Sequence, residues 1–323
     1  MRTWNSFRVH SERFEFELLN LSVELHLCFY NPFFFIFWFV IEYVQMKMCP
    51  FVISVLLAFG LPLIMTEVVK SFSACSQFFL NEQPSVIPGI LENSLSKDNR
   101  YKLICQKYKN AYRFATLYDT TNRIPVFSAY KYTEKGHFTR PNKEWMTESE
   151  LDPPVAEMTV PCLNQAISAD YCKNCYKVNR GHLFPCCHAA DLDTAESTFT
   201  LTNVVPQKIS FNAGSWKRME EETKEIMDTC KNNNNEVLAH VLTGAIPGNN
   251  KMKKKVNIPS FMWMAFCCYN STENAWVSQA YWAPNEEENT KVNIPKRSLL
   301  ELQGFLNANW VQNVQLFENN CTL

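Results

Sequence analysis

The sequence carries no surplus of charge of either sign: 31 Lys and Arg stand against 32 Asp and Glu, a formal net charge of −1 over 323 residues. That balance excludes the basic surplus of avid polyanion binders, so any anion site must be a local patch. No segment repeats, which removes solenoid and propeller architectures. No basic run is interleaved with aromatic residues either, so base-by-base reading of a nucleic acid is not expected.

What is present is apolar and cysteine-rich. Hydrophobic residues make up 46% and aromatics 14% of the chain, enough for one sizeable core. Phe29 to Val44 is almost wholly apolar, and Met48 to Met65 is apolar again behind Lys47. The second run reads as the hydrophobic region of a signal peptide. This divides the chain into an N-terminal extension (1–45), a signal region (46–74) with cleavage between Met65 and Ala74, and one domain (75–323). The alternative is a membrane anchor, which Pro32, Glu42 and Pro62 weaken. Secretion is the favoured localisation, with no stable membrane association after cleavage; the oligomeric state is not legible.

Eleven of the 13 cysteines follow residue 74: Cys75, Cys105, Cys162, Cys172, Cys175, Cys186, Cys187, Cys230, Cys267, Cys268 and Cys321. In an exported chain these are disulfide stock of unreadable connectivity, and the odd number leaves one thiol over. Cys172, Cys175, Cys186, Cys187 and His188 also suggest a zinc site; disulfides there would instead clamp the loop that follows His182. Asn270-Ser271-Thr272 and Asn320-Cys321-Thr322 are glycosylation acceptors consistent with secretion.

Along the domain, Tyr112–Tyr118 and Pro125–Tyr130 read as a hairpin across Asp119-Thr120-Thr121-Asn122. Thr133 to Asp170 reads as a long surface loop with a solvated charged face that includes Lys135 and Lys143. His182 falls where a short strand enters a loop closed by Pro185, and Phe199–Val205 is β-branched and reads as a strand. Asn212 to Cys230 is helical by pattern, with Trp216, Met219, Ile226 and Met227 on one stripe. Strands are expected at Glu236–Leu242 and Ser260–Tyr269, a turn at Gly244–Asn250 and a helix near Lys296–Asn307.

The chemistry concentrates in Val178-Asn179-Arg180-Gly181-His182-Leu183-Phe184-Pro185, in Leu201-Thr202-Asn203-Val204-Val205-Pro206-Gln207, and in Asn212-Ala213-Gly214-Ser215-Trp216 with Glu220. Phosphodiester cleavage needs a base for water, a cation against developing charge and donors that hold the phosphate. His182 suits the base, because an imidazole is mostly neutral at physiological pH yet basic enough to accept a proton. Asn212 suits a hard cation that keeps several waters, although asparagine is also an ordinary helix N-cap. Glu220, eight residues on and roughly 80° around a regular helix, is placed to reach a cation-bound water, whereas Glu221 and Glu222 read as solvated. Lys251, Lys253, Lys254 and Lys255 form the one clear basic cluster, able to track phosphates without reading bases.

These blocks resemble the non-specific DNA/RNA endonuclease family, the His-Me finger or ββα-metal nucleases. The likeness extends from about Cys75 to Leu306 and includes Tyr101–Gln106, the run from Pro125 to Tyr130 and Gly244-Ala245-Ile246-Pro247-Gly248. It implies an α+β, disulfide-stabilised ββα-metal fold with a central antiparallel sheet and flanking helices. It further implies His182 as general base, Asn212 as ligand of Mg²⁺ with Mn²⁺ as a substitute, and Glu220 as organiser of cation-bound water. Arg180 would position phosphate, Asn203 would brace the site, and Arg140 would stabilise transition-state charge. One departure stands out: the family block begins with aspartate, and here the position is Asn179.

Two functions of different class follow. One is a secreted, cation-dependent endonuclease acting on DNA or RNA with little sequence preference, holding nucleic acid through phosphates and using Lys253, Lys254 and Lys255 as substrate contacts. The other is a catalytically weak or inactive nuclease-fold domain that serves extracellular binding. Asn179 favours the second; the retained Arg180, His182, Asn203, Asn212 and Glu220 favour the first.

Overall fold

A computed structural model describes residues 67–152, 163–171, 173–318 and 321. The extension and most of the signal region lie outside the described residues, as do Cys162, Cys172 and Asn320. Everything described belongs to one compact unit spanning residues 63–323.

Seven antiparallel strands form the central sheet. In chain order the strands are β1 (Glu67–Val69), the small pair β2 (Leu91–Glu92) and β3 (Leu95–Ser96), β4 (Tyr101–Tyr108), β5 (Ala111–Asp119) and β6 (Ile124–Tyr132). After a long excursion come β7 (Val178–His182), β8 (Val204–Lys208), β9 (Ala239–Ile246), the pair β10 (Asn250–Met252) and β11 (Val256–Ile258), β12 (Phe261–Asn270) and β13 (Ala275–Pro284). The sheet order is β1-β4-β5-β6-β9-β12-β13, and β7 and β8 pair separately as a hairpin on one face.

Side chains on a strand alternate between faces, and both faces of this sheet are covered. Tyr130, Tyr132, Val241, Met262, Met264 and Phe266 point toward the hairpin β7–β8 and the helix α1 (Lys217–Met227), meeting Val178, Phe184, Val204, Trp216 and Met219. Phe127, Ala129, Leu242, Trp263 and Ala265 point the other way, onto Phe72, Phe79 and the helix α2 (Leu299–Asn309) through Leu299, Leu302 and Leu306. Among the described residues the disulfides Cys75–Cys105, Cys230–Cys268 and Cys267–Cys321 fasten these layers. Cys267 and Cys268 are neighbours on β12 and therefore serve opposite faces, one in each core.

Several sequence expectations shift. The expected hairpin is real with longer strands, Ala111–Asp119 and Ile124–Tyr132, and Asp119 and Ile124 pair beside the turn. The stretch Phe199–Val205 is not a strand throughout: Leu201–Asn203 is a 3-10 turn and pairing starts at Val204. There the hydroxyls of Thr200 and Thr202 both donate to the buried Glu148 carboxylate, at 2.8 and 3.0 Å, and this outweighs β-branched propensity. Glu148 and Trp145 also show that the excursion after β6 is packed rather than merely solvated, as Met146 bridges Thr200. The strand expected from Glu236 starts at Ala239 and runs through Gly244, where a turn was expected. A Cβ at Gly244 would meet the Trp263 ring at 2.3 Å, so glycine serves close packing there. Ser298 caps α2 reciprocally with Glu301, which moves its start past Lys296. Asn270 of the first sequon is buried, and its Oδ1 accepts from the backbone N–H groups of Thr272 and Glu273.

Candidate active site

The site is built on the hairpin β7–β8 and the helical segment that follows it. Arg180 and His182 lie two apart on β7 and so share a face, with His182 opposite Val204 and Arg180 opposite Pro206. Gly181 between them allows the hairpin to close over a side chain: a Cβ there would meet Gln207 Oε1 at 2.1 Å.

His182 is buried, wedged between Trp145 and Phe199 with ring centroids 5.2 Å away in each case, and its Nε2 has no hydrogen-bond partner. Burial, aided by the positive charge of Arg140, pulls its pKa down to about 3, so the imidazole is neutral at physiological pH. Arg140 itself is exposed and sits over the Phe199 ring at 5.3 Å.

Arg180 is sandwiched between two aromatic rings, 5.3 Å from Trp145 and 5.1 Å from Tyr171. Its Nη2 donates to the Ser168 carbonyl at 3.0 Å, and its Nε is buried without a partner. Desolvation lowers its pKa from the ordinary value, and no carboxylate among the described residues pairs with it. A stacked guanidinium with spare donors is suited to an oxyanion.

Asn203 is fully buried with every bonding direction used. Its Oδ1 accepts from Ser128 Oγ (2.9 Å) and Phe184 N–H (3.0 Å), and its Nδ2 donates to the carbonyls of Phe184 and Thr198 (3.1 Å each). It thereby pins the segment that leaves His182.

Beyond β8 the chain turns helical at Ile209, earlier than expected, so Asn212 lies inside the helical segment and is not its N-cap. Asn212–Trp216 forms a π turn before α1 begins. The Asn212 side chain is half-buried and makes no hydrogen bond among the described residues. Glu220 is half-buried in the first turn of α1. Desolvation raises its pKa to about 8, with the neighbouring Glu221 adding to the rise; the Trp216 indole N–H opposes it without closing a full hydrogen bond. Arg140 bears electrostatically on both His182 and Glu220, which brings the three together. Glu221 and Glu222 instead form ion pairs at the surface with Lys217 (3.6 Å) and Lys296 (2.6 Å).

The lysine cluster does not line up as a single substrate patch. Lys253 Nζ donates to the Ala169 carbonyl, and Lys255 forms an ion pair at 3.1 Å with the buried Asp170. Both hold the turn whose Ser168 carbonyl and Tyr171 ring grip Arg180. Lys251 and Lys254 stay exposed without ion-pair partners among the described residues.

Around His188 the described residues form no zinc site, and the disulfide alternative holds for Cys175 but not for Cys186 and Cys187. Cys186 and Cys187 are free thiols. Both ring nitrogens of His188 are engaged, Nε2 donating to the Glu220 carbonyl at 3.0 Å and Nδ1 accepting from Tyr130 Oη at 2.9 Å. Cys175 is disulfide-bonded.

Sequence reading missed Trp145, Phe199 and Tyr171 as walls of the site. Only their aromatic character was visible, and their contacts with His182 and Arg180 join loops far apart in the chain.

An antiparallel hairpin bearing a buried imidazole, running directly into a helix with an amide and a carboxylate, is the ββα arrangement of the His-Me finger nucleases. Residues 95–313 match the family model of the DNA/RNA non-specific endonucleases, and the chain belongs to that family. It is 31% identical over 273 residues to the human endonuclease domain-containing 1 protein, covering 79% of this chain and 49% of that protein. The mouse protein of the same name is 31% identical over 215 residues, covering 61% of this chain and 39% of its own length. A nuclease of Serratia marcescens is 28% identical over 159 residues, covering 47% of this chain and 55% of its own. The chain therefore spans about half the length or less of the endonuclease domain-containing 1 proteins it matches.

Proposed function

We propose that this protein is a secreted, divalent-cation-dependent endonuclease that hydrolyses phosphodiester bonds of DNA, with RNA as the alternative substrate and little sequence preference. The observation that carries the reading is the buried imidazole of His182 with its Nε2 unpartnered, on the same strand face as the ring-stacked guanidinium of Arg180, with the charge of Arg140 bearing on both His182 and Glu220.

The residues fit a hard cation. The Asn212 amide is free among the described residues, and desolvation raises the pKa of the Glu220 carboxyl despite the nearby charges of Arg140 and Lys217, so a bound cation would stabilise its ionised form. Asn212 would ligate Mg²⁺, or Mn²⁺ in its place, and Glu220 would order its water. When bound, the cation neutralises charge developing on the phosphate and on the leaving oxygen.

His182 takes a proton from water as the water oxygen forms its bond to phosphorus. Arg180 and Arg140 hold the non-bridging oxygens in line, the ester P–O bond breaks, and the leaving alkoxide is protonated from solvent. Asn203 fixes the segment after His182, and Lys254, like Lys251, is left to meet a flanking phosphate.

The disulfides among the described residues support an oxidising compartment. Among the described residues no helix is long and apolar enough to cross a membrane.

Nicking of plasmid DNA by the purified secreted protein, with Mg²⁺ and with chelator, tests the reading. Turnover by His182→Ala should fall by roughly 10²–10⁴. Asn179, where the family carries aspartate, favours the alternative of a catalytically weak binding domain. Absent nicking by the folded wild type supports that alternative, and recovery in Asn179→Asp would assign the weakness to this position; cation-independent nicking would overturn the cation requirement instead.

A further inference from the structure

In an unbroken α-helix eight residues turn through about 800°, which leaves Asn212 and Glu220 roughly 80° apart. The π turn at Asn212–Trp216 changes this. A π turn closes on the fifth residue rather than the fourth and so absorbs about one residue without its rotation. The effective offset becomes about seven residues, or 700°, and the two side chains end roughly 20° apart on one face. A regular helix would point the amide and the carboxyl in different directions.

One acidic residue brackets this turn from outside. At Gly214 the backbone leaves helical values (φ −101°, ψ −111°), rotating the Gly214–Ser215 peptide out of line. Its N–H donates to Glu288 Oε2 at 3.1 Å, and the Ser215 hydroxyl donates to Glu288 Oε1. The Glu288 backbone N–H in turn donates to Ser210 Oγ at 2.8 Å. Glu288 thus holds the chain two residues before Asn212 and three residues after it. Asn285 anchors the same segment, accepting from Lys208 N–H and donating to the carbonyls of Pro206 and Pro259. Gly214 is what lets the carboxylate in, because a Cβ there would meet Glu288 Oε2 at 2.4 Å.

We propose that Glu288 is a positioning residue that keeps this π turn open and so sets Asn212 and Glu220 on one face, a proposal that rests on Asn212 being the cation ligand. Glu288 touches neither substrate nor cation; it acts through the Ser210 and Ser215 contacts.

The test is Mn²⁺ binding to the purified secreted protein, read by electron paramagnetic resonance, together with kcat and KM for DNA nicking. Glu288→Ala should weaken Mn²⁺ binding about tenfold or more, as loss of an outer partner of a metal site typically does, and should lower kcat at unchanged KM. Glu288→Gln should stay close to wild type, because its carbonyl accepts from Ser215 N–H while its amide serves the hydroxyl. Gly214→Ala should reproduce Glu288→Ala by displacing the carboxylate, which gives an independent variant should Glu288→Ala fold poorly. Asn212→Ala is measured in parallel. If Asn212→Ala weakens Mn²⁺ binding while folded Glu288→Ala or Gly214→Ala binds as wild type does, the positioning role is overturned and the cation reading stands. If Asn212→Ala binds Mn²⁺ unchanged, the cation reading itself fails and the proposal falls with it.

Discussion

Asn203→Ala should be among the most damaging single substitutions near the site. The amide serves four partners in a fully buried setting, and alanine abandons all of them. Ser128 Oγ retains a second partner in Thr116 Oγ1 at 3.1 Å, and it loses little. The Phe184 N–H has no such reserve, and an orphaned buried donor costs about 1–3 kcal/mol. The carbonyls of Phe184 and Thr198 lose one bond each, bringing the expected total to about 3–5 kcal/mol, a large share of the roughly 5–15 kcal/mol that holds a domain. Asn203→Asp should fare no better, since its Oδ1 still accepts both bonds but its second, anionic oxygen is set against two carbonyls. Urea unfolding followed by tryptophan fluorescence under oxidising conditions measures this. A loss below about 1 kcal/mol for Asn203→Ala would refute the claim that the amide braces the segment behind His182.

Acid should weaken the fold from below about pH 6.5. Burial lowers His182 to about 3 and His188 to about 4, so the unfolded chain takes up protons that the native state refuses; stability is complete above the unfolded pKa and falls as pH drops toward the native values. Each histidine should cost about 2 kcal/mol at pH 5, and urea midpoints that do not move between pH 7.5 and pH 5 would contradict this. Glu220 acts with the opposite sign: its folded pKa is raised to about 8, so its contribution is present at low pH and is lost as pH rises from its unfolded value through 8. Glu220→Gln should therefore stabilise the cation-free protein at pH 8.5 while lowering nicking, and a destabilised Glu220→Gln at that pH would count against the assignment. Gly181→Ala should destabilise the hairpin β7–β8 by collision with Gln207, and Gln207→Ala should relieve it; a well-folded single Gly181→Ala, by melting temperature, would show that the hairpin adapts.

The block around His182 and the hairpin β5–β6 were legible because local pattern and local chemistry agree there. The resemblance rests on the same short blocks. Phe199–Val205 misread because the competing interactions come from Glu148, about fifty residues away, and propensity cannot register them. Asn212 looked like a helix cap because the turn from Ile209 carries no capping side chain that would mark the true start. The lysines near Lys253 read as a phosphate track because their partners, Ala169 and Asp170, sit on a turn some eighty residues earlier. Glu288 left no signal at all, being 73 residues from the serine it holds.

The adjacent cysteines of β12 have a consequence for how this protein can be made. Because Cys267 and Cys268 face opposite ways, slipping β12 by one position against its neighbours would exchange their partners, offering Cys267 to the side of Cys230 and Cys268 to the side of Cys321. Oxidation therefore locks whichever strand register is present when the disulfides form. A peptide map that distinguishes the two pairings reports whether a preparation carries the correctly aligned sheet or a covalently trapped misalignment.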